Sequence, residues 1–518
     1  MFFSELAGSY DLTDDIEISG NAYFRQNRVH SFNGDTSDYG ACENGQNSSV
    51  DLCLSPNPNF DPQHPETNEQ IAIDINGNYV PASYTDAAKL ATNNTSQTHM
   101  RGRGGSLQTV FAQDLFHHEN NLTVGTSYDY SEVHFDFDTE LASLSGNRGT
   151  IGSGIFVDEP RVRLTTNSSA IGVFLSDSFS ISDDLTATVA GRYNYIHMNL
   201  IDKYGTLQQD GSRIFDLNGS HTFERLNPSA GLTYNIFDNL TVYGNYSEST
   251  RAPSPMELSC ADPNAPCKLP NSFTADPALQ QVVANTWEGG LRGNLNSVLG
   301  KGDMKWNLGY FHTINNNDII FRRDLTSGLI SQGYFDNVGT TRRYGIEGGS
   351  QVNYPQLFSL IDDWHFTTNY TYLNARFMSG FNGLDPLGIE PSAPVNPGDK
   401  IPGIPEHIFK ASLSVDLWKC LLLGIDGMYS GDKVFRGDEA NNNPKLAGYW
   451  LFNARAEYKV TKQVALFGKI DNIFDNNYST FGVYGNSTGA LGSLGNNPDR
   501  FVSPGMPRAG WIGIRLNL

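Results

Sequence analysis

Residues 485–489 read GNSTG and place Ser487 between two glycines, the spacing of a nucleophile elbow. That elbow needs a buried strand before the serine and a helix after it. The next residues are ALGSLGNNPDR, a glycine-rich loop, so acyl chemistry at Ser487 is not expected. His117 and His118 precede Glu119 in a polar turn, but no HExxH occurs, and a solvated turn is expected there instead of a metal site. Asp74 opens DINGN like a calcium loop, without the glutamate at its twelfth position. RGRGG from Arg101 lacks the strand–turn–helix setting of a phosphate cradle. The arginines are a better lead: Arg322 with Arg323, Arg342 with Arg343, and the isolated Arg251. Their planar forks suit oxyanions such as carboxylates. Pairing with Asp and Glu of the same fold is the stronger expectation for each, and no ligand-contact residue is named. Neither an enzyme nor a cofactor is expected.

The five cysteines fall into two close pairs and one remainder. Cys42 with Cys53, and Cys260 with Cys267, lie in irregular segments and can each close a short loop in an oxidising compartment. Neither spacing is the CxxC of a zinc site, so disulfides are expected ahead of metal. Cys420 is left as a small apolar residue beside a tight turn.

The elements that must position these residues are strands. With 52 glycines, 12% aromatic and 18% charged residues in 518, the chain is folded in character, yet no apolar run is long enough for a helix to span a membrane. Thirty-five Lys and Arg against 56 Asp and Glu give a net charge of -21, which repels phosphate backbones and argues against nucleic acid as a partner. The N-terminal MFFSELAGSYDLTDD has neither the basic nor the apolar region of a signal peptide.

Period-two alternation recurs from end to end. In LTVYGNYSE, Leu240, Val242, Gly244 and Tyr246 share a side. Trp450, Phe452, Ala454, Ala456, Tyr458 and Val460 do so in the next clear case, and Ile512, Ile514, Leu516 and Leu518 in the last. Short polar turns at Thr13, His117, Ser182, Asp238 and Thr461 alternate with long irregular stretches, such as about 70 residues from Gly34 to Gly104 and about 25 from Pro253 onward. This segregation, with about 17 strands, predicts an all-β fold: an antiparallel transmembrane β-barrel with short periplasmic turns and long outer loops. Lipid offers no hydrogen bonds, so every backbone group must be met by a neighbouring strand, with apolar side chains outward. Tyr193, Tyr195, Tyr246, Trp364, Trp450 and Tyr458 are expected in or near interfacial girdles.

Four segments carry a family resemblance. KIDNIFDNNYSTFG (Lys469 to Gly482) resembles the late-barrel motif of TonB-dependent outer-membrane receptors. YSESTRAPSPMEL from Tyr246, DPALQQVVANTWEGGLRG from Asp276 and DNVGTTRRYGIEGG from Asp336 are similar to three further family segments, in order. Two positions depart from the pattern: the usual glutamate before WEGG is replaced, and the chain ends in Leu518 where such barrels often end in Phe. The resemblance implies a receptor of about 22 strands around a plug, in the bacterial outer membrane. It imports a scarce nutrient such as an iron–siderophore complex, energised through the TonB complex acting on the plug. Residues 1–518 are then expected to be a partial barrel domain, opening at about the sixth strand, with the plug absent and two edges unpaired. Expected partners are outer-membrane lipid, a ferric chelate or other small nutrient, and, in the complete receptor, TonB. A passive porin-like channel is the alternative, and an outer-membrane enzyme a third reading for which no catalytic constellation is found.

Overall fold

The computed structural model describes residues 1–37, 39–42, 50–54, 70–84, 90–147, 149–207, 212–215, 217–261, 267–268, 279–298, 300–323, 332–358, 361–383, 393–485 and 499–516. Seventeen strands form one antiparallel sheet. In chain order they are β1 (Phe2–Thr13), β2 (Ile16–Thr36), β3 (Leu90–Ala112), β4 (Asn120–Leu144), β5 (Thr150–Ser180) and β6 (Leu185–Asp202). Next come β7 (Gly219–Phe237), β8 (Leu240–Arg251), β9 (Val282–Val298), β10 (Gly302–Asn316), β11 (Thr341–Phe358) and β12 (Ile361–Phe377). The last five are β13 (His407–Leu417), β14 (Leu421–Ser430), β15 (Tyr449–Lys459), β16 (Val464–Asp471) and β17 (Ala509–Leu516). Each pairs with the next in sequence. Among the described residues, β1 and β17 each have one partner strand and do not pair with each other.

Connections at one end of the sheet are two to seven residues long. Those at the other include 37–89, 252–281 and 472–508. The exception there is the link between β4 and β5, because these strands, 25 and 31 residues long, themselves project far beyond the roughly ten residues that cross a bilayer. The irregular stretch expected between Gly34 and Gly104 is correspondingly shorter, since β2 continues to Thr36 and β3 begins at Leu90.

The two faces of the sheet differ as the alternation requires. Leu232, Leu308, Leu413, Ile425, Leu466, Ile512 and Ile514 are exposed although apolar, a face that makes physical sense against lipid and not against water. Aromatic rows border it. Toward the loop end, Tyr246 pairs with Trp287, Trp287 with His312 and His312 with Tyr344. Phe409, Tyr429 and Trp450 form a second such row, with Tyr429 and Trp450 ring centroids 4.8 Å apart. Toward the turn end, Tyr354 stacks on Trp364 at 6.0 Å. Along β12, the eight steps from Trp364 to Tyr372 span about 27 Å of strand, or roughly 20 Å of height once tilted, close to the apolar band of an outer-membrane wall.

On the opposite, polar face, large side chains lie across glycines of the neighbouring strand. Phe174 covers Gly125 and Phe311 covers Gly345, where an added Cβ would collide with the Tyr372 carbonyl oxygen. Above the bilayer zone this same face turns apolar. Phe137, Val162, Leu164, Met198, Leu200 and Phe223 are buried with Leu258, Leu279 and Ile319 of the loops. Ala375 and Phe377 are likewise buried with Val338, Val395, Ile401 and Ala440. The loops are thus drawn inward over the mouth by burial of apolar surface.

Candidate functional site at the mouth and inner wall

The arginines singled out by sequence sit at the mouth, and three of them are paired. Arg343 Nη2 lies 2.9 Å from Asp318 Oδ2, which also accepts from the Thr341 hydroxyl at 2.6 Å. Thr341 is fully buried. Arg322 meets Asp336 at 2.5 Å and donates to the Asn382 carbonyl at 3.0 Å, fixing one loop strand against the next. Arg251, the last residue of β8, donates to Glu257 Oε2 at 2.7 Å. Glu257 belongs to α1 (Pro255–Leu258), whose Ser254 cap and Glu257 side chain satisfy each other's amides. Burial pushes the Glu257 carboxyl up, but the Arg251 guanidinium and the Ser254 amide outweigh it and hold the group below its ordinary value. Arg342 differs: it lies 5.1 Å over the Tyr344 ring, and its buried Nε has no hydrogen-bond partner. The Arg323 side chain lies outside the described residues. Pairing with nearby carboxylates, the stronger expectation, therefore accounts for Arg251, Arg322 and Arg343.

The KIDNIFDNN segment also resolves into structure. Asn472, with φ of 50°, is buried where β16 leaves the wall. Its amide donates to Asn453 Oδ1 at 2.9 Å, its side-chain nitrogen to the Asn476 and Met506 carbonyls, and its Oδ1 accepts from the Asn476 amide. A short polar side chain that tolerates positive φ is what such a turn needs. Phe474 projects from it, exposed, onto the edge of Phe452 in the aromatic row.

Below the mouth, the polar face of β12–β17 carries an ionic ladder. Arg455 is paired with Asp426, which accepts from Ser412 at 2.6 Å. Arg515 meets Glu457 at 2.6 Å and Lys469 meets Asp471 at 3.0 Å. A cleft of about 240 Å³ opens here between Thr367, Asn369, Lys410, Ser412, Asp426 and Asn453. Lys410 is exposed and makes no hydrogen bond or ion pair among the described residues. Sequence reasoning passed over Lys410, although its parity with Ser412 and Ser414 in FKASLSVDL placed it on the wet side. This wall can present hydrogen-bonding groups and charge to a passing solute.

The remaining sequence candidates separate cleanly. Cys42 and Cys53 form a disulfide. Cys260 is disulfide-bonded as well, while the side chain of Cys267 lies outside the described residues. Cys420 is a free thiol in the β13–β14 turn. His118 packs against Phe179 at 5.8 Å, and Asp74 closes its own turn by accepting from the Asn76 and Asn78 amides at 2.8 and 2.9 Å. Among the described residues no cluster of His, Cys, Asp and Glu is arranged to hold a metal. Ser487 and Leu518 lie outside the described residues.

Comparison with known proteins fits this architecture. The family described as "TonB dependent receptor-like, beta-barrel" matches residues 3–473. The chain belongs to that family. Its members are outer-membrane β-barrels that act as transport receptors, not enzymes. Two curated relatives are similar. One, "Probable TonB-dependent siderophore receptor PiuA" of Acinetobacter baumannii, is 26% identical over 254 residues, 48% of this chain and 30% of its own. The other is the "Ferripyoverdine receptor" of Pseudomonas aeruginosa, 20% identical over 382 residues, 70% of this chain and 39% of its own. The chain thus spans less than half the length of the curated relatives it matches. Among solved structures, the siderophore receptor PiuA from Acinetobacter baumannii aligns with 99% of this chain and 64% of its own, at TM-score 0.63 and 14% identity. The copper transporter OprC aligns with 99% and 65%, at TM-score 0.62 and 15% identity. These structural likenesses establish the barrel wall.

Proposed function

We propose that this TonB-dependent receptor barrel forms part of the wall of an outer-membrane importer for a scarce nutrient, most simply a ferric siderophore. In this reading the loops over the mouth capture the chelate, and its acidic donors are steered along the polar wall past Lys410. A plug, energised through TonB, controls passage. About five further strands complete the wall by pairing with the free edges of β1 and β17. The observation that carries the reading is the family match over residues 3–473, joined to a sheet with one apolar, aromatic-bordered face and one ionic face. Supporting it, both curated relatives are named as receptors for iron-carrying ligands.

The test is uptake of radioactive iron by cells expressing the complete gene, with and without a working TonB complex. Chelate-dependent uptake that disappears with TonB supports the proposal. Uptake that persists without TonB, with steady open conductance in planar bilayers, would replace it with a passive channel.

A further inference from the structure

The link between β14 and β15, residues 431–448, is a hub to which two neighbouring outer loops are fastened. Its Asn441 reaches the β12–β13 loop twice, with Oδ1 accepting from the Lys400 amide at 2.7 Å and Nδ2 donating to the Lys400 carbonyl at 3.0 Å. The Gly403 amide of that loop donates to the Val434 carbonyl at 2.9 Å. On the other side the hub exchanges backbone bonds with the β16–β17 loop. The Arg436 amide donates to the Gly482 carbonyl, and the Tyr484 amide to the Arg436 carbonyl, both at 3.0 Å. Apolar burial backs each seam, since Ala440 is buried with Phe377, Val395 and Ile401, and Phe435 and Leu446 with Tyr484. Asn441 holds a φ of 58°, a conformation that asparagine tolerates in a tight turn.

That turn closes on a buried acid. Asp438 is 1% exposed. Its Oδ1 accepts from the Asn442 amide at 2.9 Å and the Asn443 side chain at 3.0 Å, and its Oδ2 from the Asn443 amide at 3.0 Å. It makes no ion pair among the described residues. The cations of the hub and its seams are engaged elsewhere. Lys400 pairs with Glu406 at 2.8 Å and Lys445 with Asp432 at 2.7 Å. Lys433 donates to the Thr480 carbonyl at 3.2 Å, Arg436 lies 5.2 Å over the Phe321 ring, and Arg500 is the cation acting on Tyr484. Glu439 accepts from the Gly437 amide, and the Tyr484 hydroxyl turns to the Pro444 carbonyl. Asp399, in the β12–β13 loop, sets a second negative charge against Asp438. A carboxylate placed this way has amide donors but no counter-charge. Burial, with Asp399, outweighs those donors and holds the Asp438 carboxyl above its ordinary value.

We propose that Asp438 makes this hub a proton-operated clamp. With its carboxyl neutral, the loops after β12, β14 and β16 are held together as one lid over their side of the mouth; its ionisation loosens the turn that joins them. A carboxyl that binds its proton more tightly in the folded than in the unfolded chain stabilises the turn fully below the unfolded value, about pH 3.9. That contribution is lost as pH rises through the folded value. The clamp rests on the contacts among these loops and not on what the lumen transports.

The experiment follows hydrogen exchange by mass spectrometry in the full-length protein in detergent micelles, from about pH 4 to about pH 8, with rates corrected for the intrinsic pH dependence of exchange. In wild type, protection of the segment from Asn441 to Asn443 is expected to fall as pH rises, by no more than about ten-fold per pH unit, the limit for one proton. The Lys400, Gly403 and Tyr484 amides, which donate across the seams, are expected to lose protection with the same midpoint. Asp438→Asn, uncharged at every pH, keeps the acid-form protection throughout. Should that variant fail to fold, Asp399→Asn carries the test, because removal of the like charge is expected to move the midpoint to lower pH. A flat wild-type profile overturns the clamp. So does an Asp438→Asn profile that still follows pH, an Asp399→Asn midpoint that does not move, or separate midpoints for the three loops.

Discussion

Ile425 offers a sharp test of which face meets lipid. It lies midway along β14, four residues from Leu421 at the turn end and four from Tyr429 in the aromatic row. Its cross-strand neighbours are Leu413 and Ala454, and it is exposed. In a water-soluble protein, arginine at an exposed strand position would change stability by no more than about 0.5 kcal/mol. If the residue stands near the bilayer midplane, Ile425→Arg costs about 2–4 kcal/mol. That is a shift of roughly 30- to 900-fold in the folding equilibrium. Ser414 supplies the control: it is next to Leu413 in β13, so its side chain points to the opposite, polar face, and Ser414→Arg is expected to cost less than about 1 kcal/mol. The assay is reversible guanidinium unfolding from lipid vesicles, read by tryptophan fluorescence. Equal costs for the two variants, or a near-zero cost for Ile425→Arg, would refute the assignment of faces.

Gly345→Ala should lower folding yield sharply, because the added methyl would collide with a backbone carbonyl of β12; Gly8→Ala, with nothing within 4 Å, serves as its neutral counterpart, with both read by heat-modifiable gel mobility. Asn472→Ala removes the side-chain bonds that hold the turn after β16 and is expected to cost about 1–3 kcal/mol, measured by the same unfolding assay. The Glu257 carboxyl is held below its ordinary value, so its contribution to the mouth is present above about pH 4.3, the unfolded value, and is lost as pH falls through the lower folded value. Hydrogen exchange at Leu258 and Ser259 should therefore rise at acid pH in wild type and be already raised at neutral pH in Glu257→Gln. Reduction of Cys42–Cys53, which closes a loop of 11 residues' separation, should release about 3 kcal/mol of local constraint and raise the limited proteolysis of residues 39–42 and 50–54.

The wall was legible in the sequence because lipid and water impose opposite demands on alternate residues. Trp450 to Tyr458 and Ile512 to Leu516 show it without ambiguity, and the structure places both sets outward. Where β2 and β3 climb beyond the bilayer, that pressure ends. LATNNTSQTH (Leu90 to His99) is polar on both faces, carries no period-two signal, and reads as loop although it is strand. The short turns were visible for a similar reason, since polar clusters such as Ser182 to Asp184 interrupt apolar alternation. Partners at the mouth were not visible. Arg343 meets Asp318 across 25 positions and Arg322 meets Asp336 across 14, and only the fold decides which carboxylate each arginine finds.

Alternate residues along one strand of the wall are expected to meet hydrocarbon and water in turn. Single nitroxide labels at each position from Leu451 to Glu457, in protein reconstituted into bilayers, measure this directly through collision with oxygen and with a water-soluble nickel chelate. Oxygen-dominated collisions are expected at Phe452, Ala454 and Ala456 and nickel-dominated collisions at Leu451, Asn453, Arg455 and Glu457. Accessibility that fails to alternate, or water contact on both sets, would contradict it.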